Sequence, residues 1–170
     1  MAESERTRSR ERERPTQSAY EVAVTYDKER TERQTVGRVV LRLEDCPQEQ
    51  TRQGLLRPYL DPFLIPDTPL QHWAVFTHEL HTKSGKHRHQ GGLVIYVIDG
   101  EGYSIVDGER FDWKSGDLLL LPIRPGGVEH QHYNLKADRP CRWIAFCHMP
   151  TMDNLAMEMT QIEVSPDFRG

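Results

Sequence analysis

At 170 residues, with 36% hydrophobic and 28% charged side chains and a net charge of −4, the chain has the size and balance of one globular domain with appendages. Its longest apolar stretches, Leu93–Ile98 and Leu118–Leu121, are far too short to span a bilayer, and the N-terminus lacks the apolar core of a secretory signal. A cytoplasmic protein without membrane association is expected, and the absence of a strongly basic balance argues against nucleic acid as the partner.

Residues 1–15 are nearly all Glu, Arg, Ser and Thr, with five Arg and four Glu between Glu3 and Arg14. No apolar stripe exists to dock a helix, so a disordered charged arm is expected. Its opposite charges nearly cancel, which argues against a nucleic-acid-binding arm. Residues 16–71 are expected to hold short strands and a wrapping segment. Val22, Val24 and Tyr26 alternate with polar neighbours, as do Val39, Leu41 and Leu43. The stretch Arg57–Pro66 carries too many prolines for regular structure, and is expected to wrap a surface or cross to a neighbouring subunit.

Residues 72–150 differ in kind. Strand candidates follow at short spacing: Trp73–His81, Leu93–Ile98, Tyr103–Val106, Arg110–Trp113, Leu118–Leu121, His130–Leu135 and Arg142–His148. Turn signals separate them, and Asp107-Gly108 suits a two-residue hairpin. Many short antiparallel strands without helical periodicity predict an all-β sandwich or barrel. In residues 151–170, Met152, Leu155, Ala156 and Met159 recur at helical spacing and predict a short helix docked on the barrel. The cysteines, Cys46, Cys141 and Cys147, are too few for a disulfide framework and read as buried thiols.

Histidines carry the chemistry. His87 and His89 flank Arg88, and side chains two apart on a strand share a face, so both imidazoles can aim at one point. Some forty residues later His130, His132 and Asn134 share a parity. Two strands can thus gather three or four imidazoles inside a barrel. Imidazole suits iron, zinc, nickel, copper and manganese alike. His72, His78, His81 and His148 read as ordinary hydrogen-bonded or surface histidines.

The run Gly85-Lys86-His87-Arg88-His89 followed by Leu93 to Gly100 resembles the first cupin motif. Gly116, Pro122 and His130-x-x-x-Asn134 resemble the second. The usual Glu ligand falls on Leu93, and the segment between Pro122 and His130 is longer than usual. His87-Arg88-His89 with ten residues to Gly100, and His130-Gln131-His132-Tyr133-Asn134, are similar to the gentisate 1,2-dioxygenase-like cupins, which use three histidines. The resemblance implies a double-stranded β-helix jelly roll with a metal on His87, His89 and His130. It favours Fe(II) over Zn, Ni or Mn, and a dioxygenase cleaving a small oxygenated, aromatic substrate.

His132 shares a face with His130 and is the candidate catalytic or substrate-contacting residue. Arg124, in the inserted loop, is a candidate for holding a substrate carboxylate, against a solvated loop arginine. Tyr96 and Trp113 are candidates to flank a ring, against simple barrel core. Two other readings stand beside the oxygenase. One is a lyase or isomerase using the metal as Lewis acid, with Tyr96, His132 or His81 as base. The other is a ligand-binding cupin without chemistry. A homodimer or higher homo-oligomer is expected, with exposed sheet edges to protect.

Overall fold

The computed structural model describes residues 17–156 and 158–169, so the arm expected over residues 1–15 lies outside the described residues. The chain divides into two compact units, parted between Gly37 and Arg38.

In the first unit, helix α1 (Ala19–Val36) replaces the strand expected at Val22, Val24 and Tyr26. Ser18 starts it with a capping box: its hydroxyl accepts from the Glu21 amide, and the Glu21 carboxylate accepts from the Ser18 amide. The run after Tyr26 is rich in Lys, Glu, Arg and Gln, all good helix formers. Three alternating apolar residues are too few to outweigh that preference, and none of the helix is buried.

The second unit is a two-sheet antiparallel jelly roll. Its strands are β1 (Glu49–Thr51), β2 (Gly54–Leu60), β3 (Trp73–Leu80), β4 (Lys86–His89), β5 (Val94–Asp99), β6 (Glu101–Val106), β7 (Glu109–Lys114), β8 (Leu118–Leu120), β9 (Val128–Asn134), β10 (Cys141–His148) and β11 (Thr160–Glu163). One sheet runs β1-β2-β3-β10-β5-β8, the other β11-β4-β9-β6-β7. The alternation that marks half-buried strands is plain in β10, where Cys141, Trp143, Ala145 and Cys147 point into the core. All three cysteines are buried free thiols.

Val39, Leu41 and Leu43 form no strand; only a turn of 3₁₀ helix occurs there, at Leu43–Asp45. The proline-rich segment departs from expectation in the other direction, because Arg57–Leu60 belongs to β2. Beyond Leu56, β2 has lost its β1 partner and is an edge strand with a register shift between Pro58 and Leu60, where a proline is tolerated. Asp107 (φ 49°) and Gly108 (φ 85°) both take the left-handed conformation of the expected hairpin turn between β6 and β7.

At the C-terminal end, helix α2 (Met149–Asn154) buries Met152, but the helix stops short of Met159, which is 57% exposed. Strand β11 follows instead and pairs with β4, covering the edge of the second sheet.

Candidate metal centre

Strands β4 and β9 lie side by side, and their register places His87 directly opposite His130, with His89 opposite Val128. Ser84, wholly buried, sets that register: its hydroxyl accepts from the His132 amide at 2.9 Å, and its own amide donates to the His132 carbonyl. On the outer face Glu129 bridges Lys86 (2.7 Å) and Arg88 (3.0 Å), which ties the same two strands together. Exposed pairs of this kind add little stability but favour one register over a slipped one.

The ring centroids of His87, His89 and His130 lie 4.2 to 5.1 Å apart, and one nitrogen from each falls within 4.8 Å of the others. Each ring has its Nδ1 against a backbone carbonyl: His87 on Gly85 (3.4 Å), His89 on Gln90 (2.6 Å) and His130 on Val128 (3.2 Å). A carbonyl only accepts, so Nδ1 carries the proton and Nε2 keeps a free lone pair. Outer hydrogen bonds of this kind orient metal-binding histidines.

Burial drives all three rings toward the neutral state. The His87 imidazole is pushed down to about 4 by burial and by His89, against a weak upward pull from Gly85. His130 lies well below the usual range through burial and its neighbours His87, His132 and His89, and His89 is lowered by burial. Neutral imidazoles converging on one point are a donor set that fits a divalent metal.

His132 is also buried, 5.4 Å from His130 between ring centroids, but it is not one of the three converging residues. Its Nδ1 meets the Ser104 hydroxyl at 2.6 Å, and Ser104 accepts from Trp113 Nε1 at 2.9 Å. With Trp113 donating, the serine proton is free to go to His132. The histidine proton then sits on Nε2, making His132 a donor held in place by two residues. Asn134 has a structural part: its amide nitrogen reaches the carbonyls of His81, Lys136 and Arg139 at the end of β9.

Other expected site residues fall in different places. Trp113 is buried and lines a cavity of about 530 Å³ that Arg124 also borders. Arg124 is bound to Asp107 at 2.7 Å, so its charge is already matched. Tyr96, expected to flank a ring inside the barrel, is on the outer face and 42% exposed, because β5 turns Ile95 and Val97 inward. Leu93 lies in the core, although the strand is broken between His89 and Val94. At that break the chain crosses between sheets. A Cβ at Gly91 would lie 1.8 Å from the Pro122 carbonyl oxygen, so only glycine fits. His81 is half exposed beside Glu79 (3.3 Å), and His72 and His148 pair with Trp73 away from the three histidines.

Three buried residues escape a motif search: Ser84, Ser104 and His78. His78 projects inward from β3 in step with Phe76 and Leu80, and packs 4.8 Å from Trp143. Among the described residues its Nε2 and Trp143 Nε1 are buried without hydrogen-bond partners, and burial with His87 nearby pushes His78 down to about 3. The signal for it was parity: in Ala74-x-Phe76-x-His78-x-Leu80 the histidine falls on the apolar side.

Residues 74–147 match the cupin domain family model. This segment is a cupin domain. The chain is 36% identical over 70 residues to a gentisate 1,2-dioxygenase from a Streptomyces species, spanning 41% of this chain and 18% of the enzyme. A gentisate 1,2-dioxygenase from a Ralstonia species is 35% identical over 65 residues, 38% of this chain and 17% of the enzyme. The chain thus spans less than a fifth of the curated relatives it matches. Among solved structures, the salicylate 1,2-dioxygenase of Pseudoaminobacter salicylatoxidans with gentisate aligns with a TM-score of 0.50 at 17% identity, over 81% of this chain and 35% of that one. Pac13, a nucleoside dehydratase, aligns with a TM-score of 0.52 at 11% identity, over 76% of this chain and 95% of that one. Both likenesses are of fold. The same fold thus occurs in proteins described as a dioxygenase and as a dehydratase, so fold alone does not choose the chemistry.

Proposed function

We propose that this chain is a metal-dependent cupin enzyme, an Fe(II) dioxygenase acting on a small, oxygen-donating substrate. The observation that carries the proposal is the set of three neutral imidazoles, each locked through Nδ1 so that Nε2 is free. His87, His89 and His130 would hold the ion, and Zn, Ni or Mn would fit the same donors. When bound, Fe(II) supplies the redox chemistry that lets dioxygen react with a chelating substrate.

This chain's own residues do the rest. Gly85, Gln90 and Val128 orient the three rings through their carbonyls. Trp113 and Ser104 hold His132 so that its Nε2–H can steady a substrate oxygen. Trp143, Ile95, Val97 and Leu80 line the opposite wall and exclude water. Identity of 35–36% to the gentisate dioxygenases over 65–70 residues favours oxygenase chemistry over the alternatives.

The test is metal analysis of anaerobically purified protein, followed by oxygen uptake with catechols, hydroxybenzoates and β-diketones. Uptake is expected only with iron and a chelating compound together. An iron form inert with every compound, beside a zinc or nickel form that turns over without oxygen, would replace this reading with a lyase or isomerase. We also propose a cytoplasmic homodimer. Val94, Tyr96 and Ile98 expose an apolar strip on the outer face of β5 that a second copy would cover. Light scattering should give twice 19.8 kDa; the single-chain mass at micromolar concentration would count against the dimer.

A further inference from the structure

The interior of the barrel is polar yet uncharged. Among the described residues the buried polar side chains are five histidines, four serines or threonines and Gln131; no Lys, Arg, Asp or Glu is buried. The arginines nearest the site are occupied outside it. Arg88 turns to Glu129 on the outer face, Arg124 is bound to Asp107, and Arg110 bonds Asp112 while lying 3.8 Å from the Tyr103 ring.

The cavity of about 530 Å³ lies between β7 and β8, the edge strands where the two sheets part. Its wall is mainly apolar, with Phe111, Leu118, Leu119 and Leu120 beside Val106 and Trp113; Asp112, Asp117 and the paired Arg124 also border it, so its net charge is negative. The last two connect it to the histidines. Val106 stands opposite His130 in the β6–β9 register, and Trp113 donates to Ser104, which holds His132. A volume of this size takes a one-ring or short-chain molecule.

From this arrangement we infer that the site takes a chelating enol or diphenol with an apolar body and no carboxylate, admitted through the cleft between β7 and β8. The inference rests on the metal-centre reading above. Three neutral ligands leave a divalent ion's charge uncompensated, and among the described residues no carboxylate is buried beside them to offset it, so a ligand is favoured that brings negative charge onto the metal. An enolisable 1,3-dicarbonyl or an ortho-diphenol does so by losing one proton to solvent as its two oxygens bind. A carboxylate elsewhere on the molecule gains nothing. It would be stripped of water in an apolar cleft with no free cation to receive it, a cost that binding must overcome.

The experiment is calorimetric titration of zinc-loaded protein, without oxygen, with acetylacetone, 4-methylcatechol, and two diphenols whose carboxylate lies away from the chelating oxygens, 3,4-dihydroxybenzoate and 3,4-dihydroxyphenylacetate. The two carboxylate-free chelators should bind about tenfold or more tightly than the two acids, a difference of ~1.4 kcal/mol. Their binding enthalpy should vary with the buffer's ionisation enthalpy, showing release of one proton. Leu119→Arg, which puts a cation in the cleft wall, should narrow or reverse the preference by tightening binding of the two acids relative to 4-methylcatechol. The native protein decides the matter if that variant does not fold. Either acid binding as tightly as 4-methylcatechol in the native protein overturns the inference and leaves the metal centre standing. A protein that takes up no zinc overturns both.

Discussion

The two sheets of the jelly roll divide the work of the site. The five-stranded sheet supplies all three converging histidines and His132, on the adjacent strands β4 and β9. The six-stranded sheet supplies a wall of Leu80, Ile95, Val97, Trp143 and Ala145, with one histidine, His78, among them. Ligands on neighbouring strands are spaced by the backbone ladder itself, so no long loop has to be ordered to bring them together. The facing sheet sets the medium: its apolar wall desolvates the imidazoles and keeps them neutral. One sheet thus builds geometry and the other tunes charge.

The largest way to break that division is to remove a donor. His87→Ala, His89→Ala or His130→Ala should lower metal affinity by more than ~100-fold, since losing even an outer partner costs about 10–100-fold. Elemental analysis after dialysis reads this, with circular dichroism confirming a folded barrel. His132→Ala should keep its metal; loss there with full occupancy in His130→Ala would exchange the two histidines' roles.

Next is the crossing that joins the sheets. Gly91→Ala must push a Cβ into the Pro122 carbonyl, with 1.8 Å available, and should destabilise the fold by about 3 kcal/mol or more in urea unfolding. An effect below ~1 kcal/mol would show that the crossing can relax.

Acid should sharpen the contrast between geometry and medium. In the folded metal-free protein His78 and His87 titrate near 3 and 4, while in the unfolded chain both return to the ordinary 6.5. The unfolded chain therefore binds more protons below 6.5, and stability is full above that pH and falls as the pH drops toward 4. Each histidine contributes a slope of ~1.4 kcal/mol per pH unit. Denaturation midpoints at pH 7, 6 and 5 check the slope, and bound metal should flatten it through His87. No loss between pH 7 and 5 would mean that the rings are better solvated than their burial implies.

The smallest expected effect is on the facing wall. His78 Nε2 has no partner, so His78→Leu should stabilise the protein by about 1 kcal/mol and leave metal content unchanged. A drop in metal content would give His78, which lies near His87, a part in the site.

Much of this was legible in the residue order. Period-2 alternation marked most barrel strands, Asp107-Gly108 marked a hairpin, parity brought forward His87, His89, His130 and His132, and the resemblance to three-histidine cupins selected the three that converge. These are local patterns, and a strand carries them whatever it packs against. Elsewhere the local pattern was ambiguous or misleading. Val22, Val24 and Tyr26 alternate like a strand, yet the capping box and charged run make a helix. Pro58 argued against a strand that β2 tolerates because it is an edge there. Strand β11 was overlooked because its reason to exist is the open edge of β4, which no neighbour in sequence reveals.

The residue order decided which side chains can bind a metal; pairing between distant segments decided what surrounds them. Ser84 reaching His132, Trp113 reaching Ser104, Asp107 taking up Arg124 and Tyr96 turned outward all depend on register across strands tens of residues apart. A one-residue slip in any of those ladders would reverse every face. That is why the three converging histidines could be read from the chain, while the uncharged interior that governs what they can receive appeared only in the folded barrel.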